Sequence, residues 1–291
     1  MRILIFGSGV MATGIARLLA EGHDVTVLSQ HLDQSQERFD VVRTLDDVPP
    51  HPYSAVISCV VDDERSREIW LHPSVEALLR RHLPAVVELS TLSVAWIEEW
   101  HRRMDALGVV AVESPVTGSR SGADSGTLSA FRFSRSPSRL VDEIFGVFTR
   151  RVYEFSAPAN PTRFKLIYNS WGASVLATLG PHAALLHDHL AEDLVVASRI
   201  VRSDGWMAAV VNAKWDRYRD DDFGDADFRL AHMVKDLDYL SEIVPDDDTY
   251  IRKIRDAYAA VLSPSTKDLD FSAISRPVAG TPQPTTPCGT G

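Results

Sequence analysis

Ile3-Leu4-Ile5-Phe6-Gly7-Ser8-Gly9-Val10-Met11-Ala12 stands at the start of the chain, and its reading decides the fold. An unbroken apolar run makes a short buried strand, two glycines follow at once, and a helical stretch runs from about Met11 to Ala20. A second apolar run, Val25-Thr26-Val27-Leu28, completes a strand–helix–strand unit. The glycine turn has the form G-x-G-x-x-A. Gly7 permits the tight turn, Gly9 lets the backbone approach a pyrophosphate at the helix N-terminus, and Ala12 keeps the helix close to the sheet. Alone the motif is weak, and a glycine turn serving only packing is the alternative; its place between a strand and a helix makes it strong. Gly7, Ser8, Gly9, Val10 and Met11 are the expected phosphate cradle.

Further apolar runs at 55–61, 85–89 and 109–112 alternate with stretches of helical periodicity, the pattern of a mostly parallel sheet covered by helices. The fold expected is α/β: an N-terminal Rossmann domain with a doubly wound sheet over residues 1–158, followed by a mainly helical domain over 159–271. Residues 164–190 form a long stretch of helix formers, which Gly180 and Pro181 are expected to bend or divide. Residues 272–291, rich in Pro, Gly and Thr, are expected to form a disordered tail.

The 291 residues, 45% hydrophobic, suffice to bury a full core. A formal net charge of −10 argues against a nucleic-acid binder, so anionic ligands must be held by local groups. Cys59 and Cys288 lie far apart, which indicates neither a disulfide framework nor a thiolate metal cluster. Met1-Arg2 leads straight into the first strand, and no apolar run approaches the roughly 20 residues of a membrane span. A cytoplasmic protein without a membrane partner is expected.

Cofactor choice is read at the end of the second strand, where NAD-selective domains place a carboxylate against the ribose hydroxyls. Here stand Ser29-Gln30-His31, which offer hydroxyl, amide and imidazole groups and no repulsion to a 2′-phosphate. NADP(H) is favoured over NAD(H). Asp33 is too far along the chain to read the ribose.

Gly7 and Gly9, Gly22-His23 and Val25-Thr26-Val27 resemble the opening of the β-hydroxyacid dehydrogenase family, which includes 3-hydroxyisobutyrate and 6-phosphogluconate dehydrogenases. Glu88-Leu89-Ser90-Thr91 is similar to that family's acidic-x-Ser-Thr segment, which implies that Thr91 lies near the nicotinamide; a Ser/Thr cap on the helix beginning near Val94 is the plainer role, and both can hold. The most specific match is Ser114-Pro115-Val116-Thr117-Gly118-Ser119 followed by Gly122-Ala123-Asp124-Ser125-Gly126-Thr127-Leu128, which resembles the family's substrate segment. Small residues there expose backbone N–H groups to a substrate carboxylate while a hydroxyl adds one hydrogen bond, so Thr117, Gly118 and Ser119 are the expected substrate contacts. Ser119 replaces a family glycine and adds bulk beside the site. Gln30 stands where NADP-selective members often place Arg, and Asp62 where many have proline; Val60 and Val61 complete the cofactor contacts the resemblance implies.

Arg163-Phe164-Lys165-Leu166-Ile167-Tyr168-Asn169 looks like the family's catalytic helix, with lysine and asparagine one turn apart on one face. Lys165 is the expected proton donor and acceptor, its pKa lowered toward the working range by burial, and Asn169 orients the oxygen. A surface lysine is the ordinary alternative. Yet only five of the 30 basic side chains are lysine (Lys165, Lys214, Lys235, Lys253, Lys267), and two of them fall where the family motifs require lysine. The second, Lys235 in Met233-Val234-Lys235-Asp236-Leu237, is implied to approach the nicotinamide, with a pair to Asp236 or Asp238 as the alternative.

The resemblance spans residues 1–245 and implies hydride transfer between NADP(H) and a small β-hydroxy acid or its oxo partner, in a homodimer formed through the helical domain. An imine reductase shares the design but usually lacks the catalytic lysine; a ketopantoate reductase has the Lys-x-x-x-Asn helix but not the 117–128 segment. A non-catalytic NADP(H)-binding sensor is the reading from another class. Trp171, Trp206 and Trp215 either line an enlarged pocket or serve as core or interface. His182, His187 and His189 have poor ligand spacing, and no metal is expected.

Overall fold

The computed structural model describes residues 1–204, 207–246 and 248–275. It divides into two compact units, Met1–Tyr168 and Asn169–Gly291. The division falls inside a helix, later than the loop before Asn160 where composition changes, because the first turns of that helix are packed into the first unit.

Six parallel strands, β1 (Arg2–Phe6), β2 (Asp24–Leu28), β3 (Asp40–Val42), β4 (Ala55–Ser58), β5 (Ala85–Glu88) and β6 (Ala111–Glu113), stand in the order β3-β2-β1-β4-β5-β6. The sheet is extended by β7 (Val116–Thr117) and β8 (Leu128–Ser134), with β8 antiparallel to both β6 and β7, and by β9 (Thr149–Glu154), parallel to β8. Its covering helices are α1 (Val10–Leu19), α2 (Asp63–Trp70), α3 (Pro73–His82), α4 (Val94–Leu107), α5 (Ser119–Ser125) and α6 (Arg139–Phe148). Strands β1, β4 and β5 are buried along almost their whole length, which explains their apolar runs without alternation. The strand order reverses between β1 and β4, so the turns after these two strands open the crevice in which ligands of such sheets bind.

From Asn160 the chain is helical: α7 (Asn160–Leu190), α8 (Leu194–Ser203), α9 (Ala208–Asp220), α10 (Leu230–Ser241) and α11 (Thr249–Val261). Of the two outcomes expected at Gly180 and Pro181, a bend or a division, the division does not occur: α7 runs unbroken through Pro181. The missing N–H forfeits one hydrogen bond, and apolar packing on both sides of it prevails: Leu176, Leu179, Ala183 and Leu186 join Val211 and Trp215 in one cluster.

The second unit is tied at its end by a buried ion cluster. Lys214 Nζ lies 2.9 Å from Asp270 and 3.0 Å from Asp227, and Asp270 also accepts from Ser272 N at 3.1 Å. Phe271–Ser275, the end of the expected helical domain and the first residues of the expected tail, form a 3-10 helix in which Ala273 is buried. The remainder of the expected tail, with Cys288, lies outside the described residues, as does Trp206. Burial pushes the Asp270 carboxyl up, but the Ser272 hydrogen bonds and the Lys214 ammonium outweigh it and hold the group below the usual carboxylate range. A carboxylate depressed by folding stabilises fully above its unfolded pKa of about 4 and loses that contribution as pH falls through the folded value. Thermal melts of wild type and Asp270→Asn should therefore differ at pH 6 and converge below about pH 4; a gap that stays constant over that range contradicts the account.

Candidate active site

Gly7 follows β1 with φ +121, and a Cβ there would sit 2.1 Å from the carbonyl oxygen of Cys59, the residue after β4. Glycine is thus demanded by the close approach of two neighbouring turns, whatever binds there. Gly9 is different: a Cβ on it would meet nothing within 4 Å, and it begins α1 with no side-chain cap. Bare amides at the start of a helix behind an open glycine fit a pyrophosphate. Gly14, which sequence reading passed over, lets α1 meet α5, since a Cβ there would lie 2.9 Å from Asp124 Oδ1 and 3.0 Å from the Ala123 Cβ. Beside the loop is a cavity of about 290 Å³ lined by Ser8, Val10, Thr13, Arg17, Arg120 and Asp124. Met11 is half-buried and packs against the hydrophobic core.

Ser29 is buried, and its hydroxyl oxygen accepts from His31 N at 3.1 Å and Leu32 N at 3.0 Å, which folds the turn after β2 and leaves Gln30 and His31 exposed. Val60 N donates to Ser90 Oγ at 2.8 Å, so the turns after β4 and β5 are joined; Val61 is exposed beside them. Glu88 anchors that junction from inside, accepting from Ser66 Oγ, Trp70 Nε1 and Ser90 N at 2.8, 2.8 and 3.0 Å, and its burial pushes the carboxyl above the ordinary range. Thr91, half-buried, follows Ser90 in this turn, and the cap of α4 is Ser93, which accepts from Trp96 N. Asp62 caps α2 by accepting from Arg65 N at 2.9 Å. The Cys59 thiol is pushed up to about 12 by burial and by Glu88, so it is not a thiolate nucleophile near neutral pH.

Thr117 ends β7, half-exposed, and Gly118 follows at φ +136 with Leu128 Cδ2 only 3.0 Å from where a Cβ would be. Ser119 adopts φ +58, a conformation glycine takes freely and serine does not, and its hydroxyl lies 3.2 Å from that of Ser121.

Lys165 is only 7% exposed in the second turn of α7, and its helix is held at the N-terminus by a buried carboxylate. Glu113, at the end of β6, accepts from Ala159 N at 2.7 Å and Thr162 N at 2.9 Å and lies 2.9 Å from His101 Nε2. Glu113 was missed in sequence; its signal was a glutamate at the end of an apolar strand. Phe164 and Tyr168 stack on one another at 5.8 Å and pack on Phe131. In the second unit Asn169 Nδ2 donates to Asp236 Oδ2 at 2.6 Å, and Lys235 Nζ lies 2.8 Å from Asp236 Oδ1 and 5.0 Å from the Tyr239 ring centre. Asp236 is 1% exposed, so Lys235 pairs with a buried carboxylate. Trp215 is core, while Trp171 is 72% exposed. His182 Nδ1 lies 2.7 Å from the Thr178 carbonyl, His187 contacts Asp188, and among the described residues no three His, Cys, Asp or Glu side chains gather as a metal site.

A doubly wound sheet with an open glycine turn at its switch point and a helix-borne buried lysine defines an NAD(P)-dependent oxidoreductase. The sequence model of the family described as the NAD binding domain of 6-phosphogluconate dehydrogenase matches residues 2–148. The chain belongs to that family, among the β-hydroxyacid dehydrogenases. No curated protein matches the sequence. Among solved structures, 3-hydroxyisobutyrate dehydrogenase of Mycobacterium tuberculosis with L-serine is 20% identical, with 94% of this chain and 97% of that one covered and a TM-score of 0.77. The enzyme of that name from Salmonella typhimurium is 18% identical over 94% and 99%, at a TM-score of 0.76. An imine reductase from Myxococcus stipitatus with NADP+ is 12% identical over 95% and 99%, at 0.59.

Relieving the left-handed backbone at Ser119 should stabilise the fold: Ser119→Gly is expected to raise stability by about 1 kcal/mol in urea unfolding. Unchanged or lowered stability would mean that the serine hydroxyl compensates for its conformation.

Proposed function

We propose that the chain transfers a hydride between NADP(H) and a small β-hydroxy acid or its oxo partner. The observation that carries this is Lys165, a lysine withdrawn from solvent on a helix whose start is fixed by Glu113. The dinucleotide supplies the hydride donor or acceptor. Its pyrophosphate would rest on the turn of Gly7, Ser8, Gly9, Val10 and Met11, with Ser29, Gln30 and His31 toward the adenosine and Val60, Val61, Thr91 and Lys235 toward the nicotinamide.

In reduction the Lys165 ammonium donates its proton to the substrate oxygen as charge develops there; in oxidation the neutral amine takes it back. Asn169, whose Nδ2 donates to Asp236, would hold that oxygen. The Thr117 hydroxyl and the amides at Gly118 and Ser119 bind the carboxylate. L-serine, with which the tuberculosis relative is described, is itself a β-hydroxy acid, which supports the substrate class. The likeness to an NADP+-bound imine reductase favours a C=N substrate as the second reading. NADP(H) over NAD(H) rests on the absence of an acidic side chain among Ser29, Gln30 and His31.

No described helix is long and apolar enough to cross a membrane. We place the protein in the cytoplasm, acting on a small molecule without nucleic acid. A homodimer would cover the exposed apolar residues Leu185, Leu190, Val195, Val196 and Ile200 of α7 and α8. In light scattering after gel filtration the wild type should run at twice the chain mass and a Val196→Asp/Ile200→Asp variant at the chain mass; a monomeric wild type refutes the dimer.

NADPH and NADH oxidation against small β-oxo acids, aldehydes and cyclic imines tests the activity. Turnover of an oxo acid should fall at least 100-fold in Lys165→Ala, as expected for loss of a general acid. Turnover of imines alone moves the reading to an imine reductase, and tight NADPH binding with no turnover to a sensor.

A further inference from the structure

Arg43 lies fourteen residues along the chain from Ser29, and the sheet brings them together. Strands β2 and β3 are parallel with Leu28 beside Val42, and the ladder continues one step further as Ser29 N donates to the Val42 carbonyl at 2.9 Å. The next residue on β3 is therefore carried to the mouth of β2. There Arg43 Nη1 donates to the Ser29 carbonyl at 2.9 Å, which pins the guanidinium against the turn while the residue as a whole is exposed. No carboxylate forms an ion pair with it among the described residues. Asp33 is close enough for Arg43 to contribute to its lowered pKa, but that carboxylate is committed to Ser35 N at 3.0 Å and Ser35 Oγ at 2.9 Å, where it caps the 3-10 turn Gln34–Gln36.

We infer that Arg43 is the residue that selects the 2′-phosphate of NADP(H). This deepens the NADP(H) reading above and rests on it. A phosphomonoester held on an acidic protein needs a local fixed cation, and none of Ser29, Gln30 and His31 carries a permanent positive charge. Arg43 supplies that cation, from the neighbouring strand instead of from the β2 turn. The Ser29 hydroxyl contributes by folding the turn that Arg43 grips, since its oxygen is occupied by two backbone donors. A planar guanidinium already fixed through one N–H loses little freedom when its other donors engage a phosphate.

Titration calorimetry with 2′,5′-ADP and 5′-AMP tests this on the intact protein without turnover. The wild type should prefer 2′,5′-ADP, and Arg43→Gln should weaken 2′,5′-ADP roughly 10- to 100-fold while leaving 5′-AMP unchanged, as expected for loss of a charge-assisted contact. Arg38→Gln, which removes an exposed charge elsewhere on the same edge, should leave the preference intact. A wild-type preference that survives in Arg43→Gln overturns the role of Arg43 and leaves the NADP(H) reading standing. Equal binding of both nucleotides by the wild type overturns the NADP(H) reading itself. Equal melting temperatures of the variants and wild type confirm that a lost preference is local.

Discussion

The carboxylate of Glu113 is the interaction on which the candidate chemistry depends. It sits at the C-terminal end of a buried strand, fully enclosed, and takes two amides from the start of α7. A buried carboxylate without partners would be prohibitively costly, and helix amides without acceptors nearly so; each satisfies the other, and the helix dipole adds to the attraction. His101 occupies the remaining side of the same carboxylate. Lys165 is thereby given a fixed address: its position follows from where β6 ends. Buried Leu166 and the stack of Phe164 and Tyr168 on Phe131 then set the rotation of the helix about its axis.

The cofactor side of the first unit obeys a comparable constraint at Gly7. The turns after β1 and β4 approach so closely that a single methyl group would overlap a carbonyl. That approach fixes the two turns at the switch point against each other, and Gly9 keeps the adjoining surface open. The turns after β4 and β5 are then stitched by Ser90, which is itself held by the buried Glu88. Polar residues that look like ligands in sequence thus divide into two groups: those that build the turns from within, and those left facing outward.

The second unit presents the same economy. Asp236 unites Asn169 and Lys235, two residues that the family resemblance assigns to separate tasks, on one buried carboxylate. The side-chain amide of Asn169 is oriented because one of its N–H groups is spoken for.

By itself the sequence determined the glycine turn, the parallel sheet and the long helix with Lys165 and Asn169 one turn apart, because each is written in local periodicity and in residue types with few alternatives. It also marked Ser119 as a departure. Only the tertiary structure decided which hydroxyls and carboxylates build the scaffold: Ser29, expected toward the cofactor, is buried and folds the turn after β2, Glu113 shows in sequence only as a glutamate ending an apolar strand, and Arg43 and Gly14 carry no local signal at all. The unbroken passage of α7 through Pro181 belongs here too, since a local rule lost to packing contributed by α9. Hydrogen bonding across strands and the distribution of burial are properties of residues far apart in the chain, and a side chain's partner is fixed by strand register and helix contact, which no window of neighbouring residues contains.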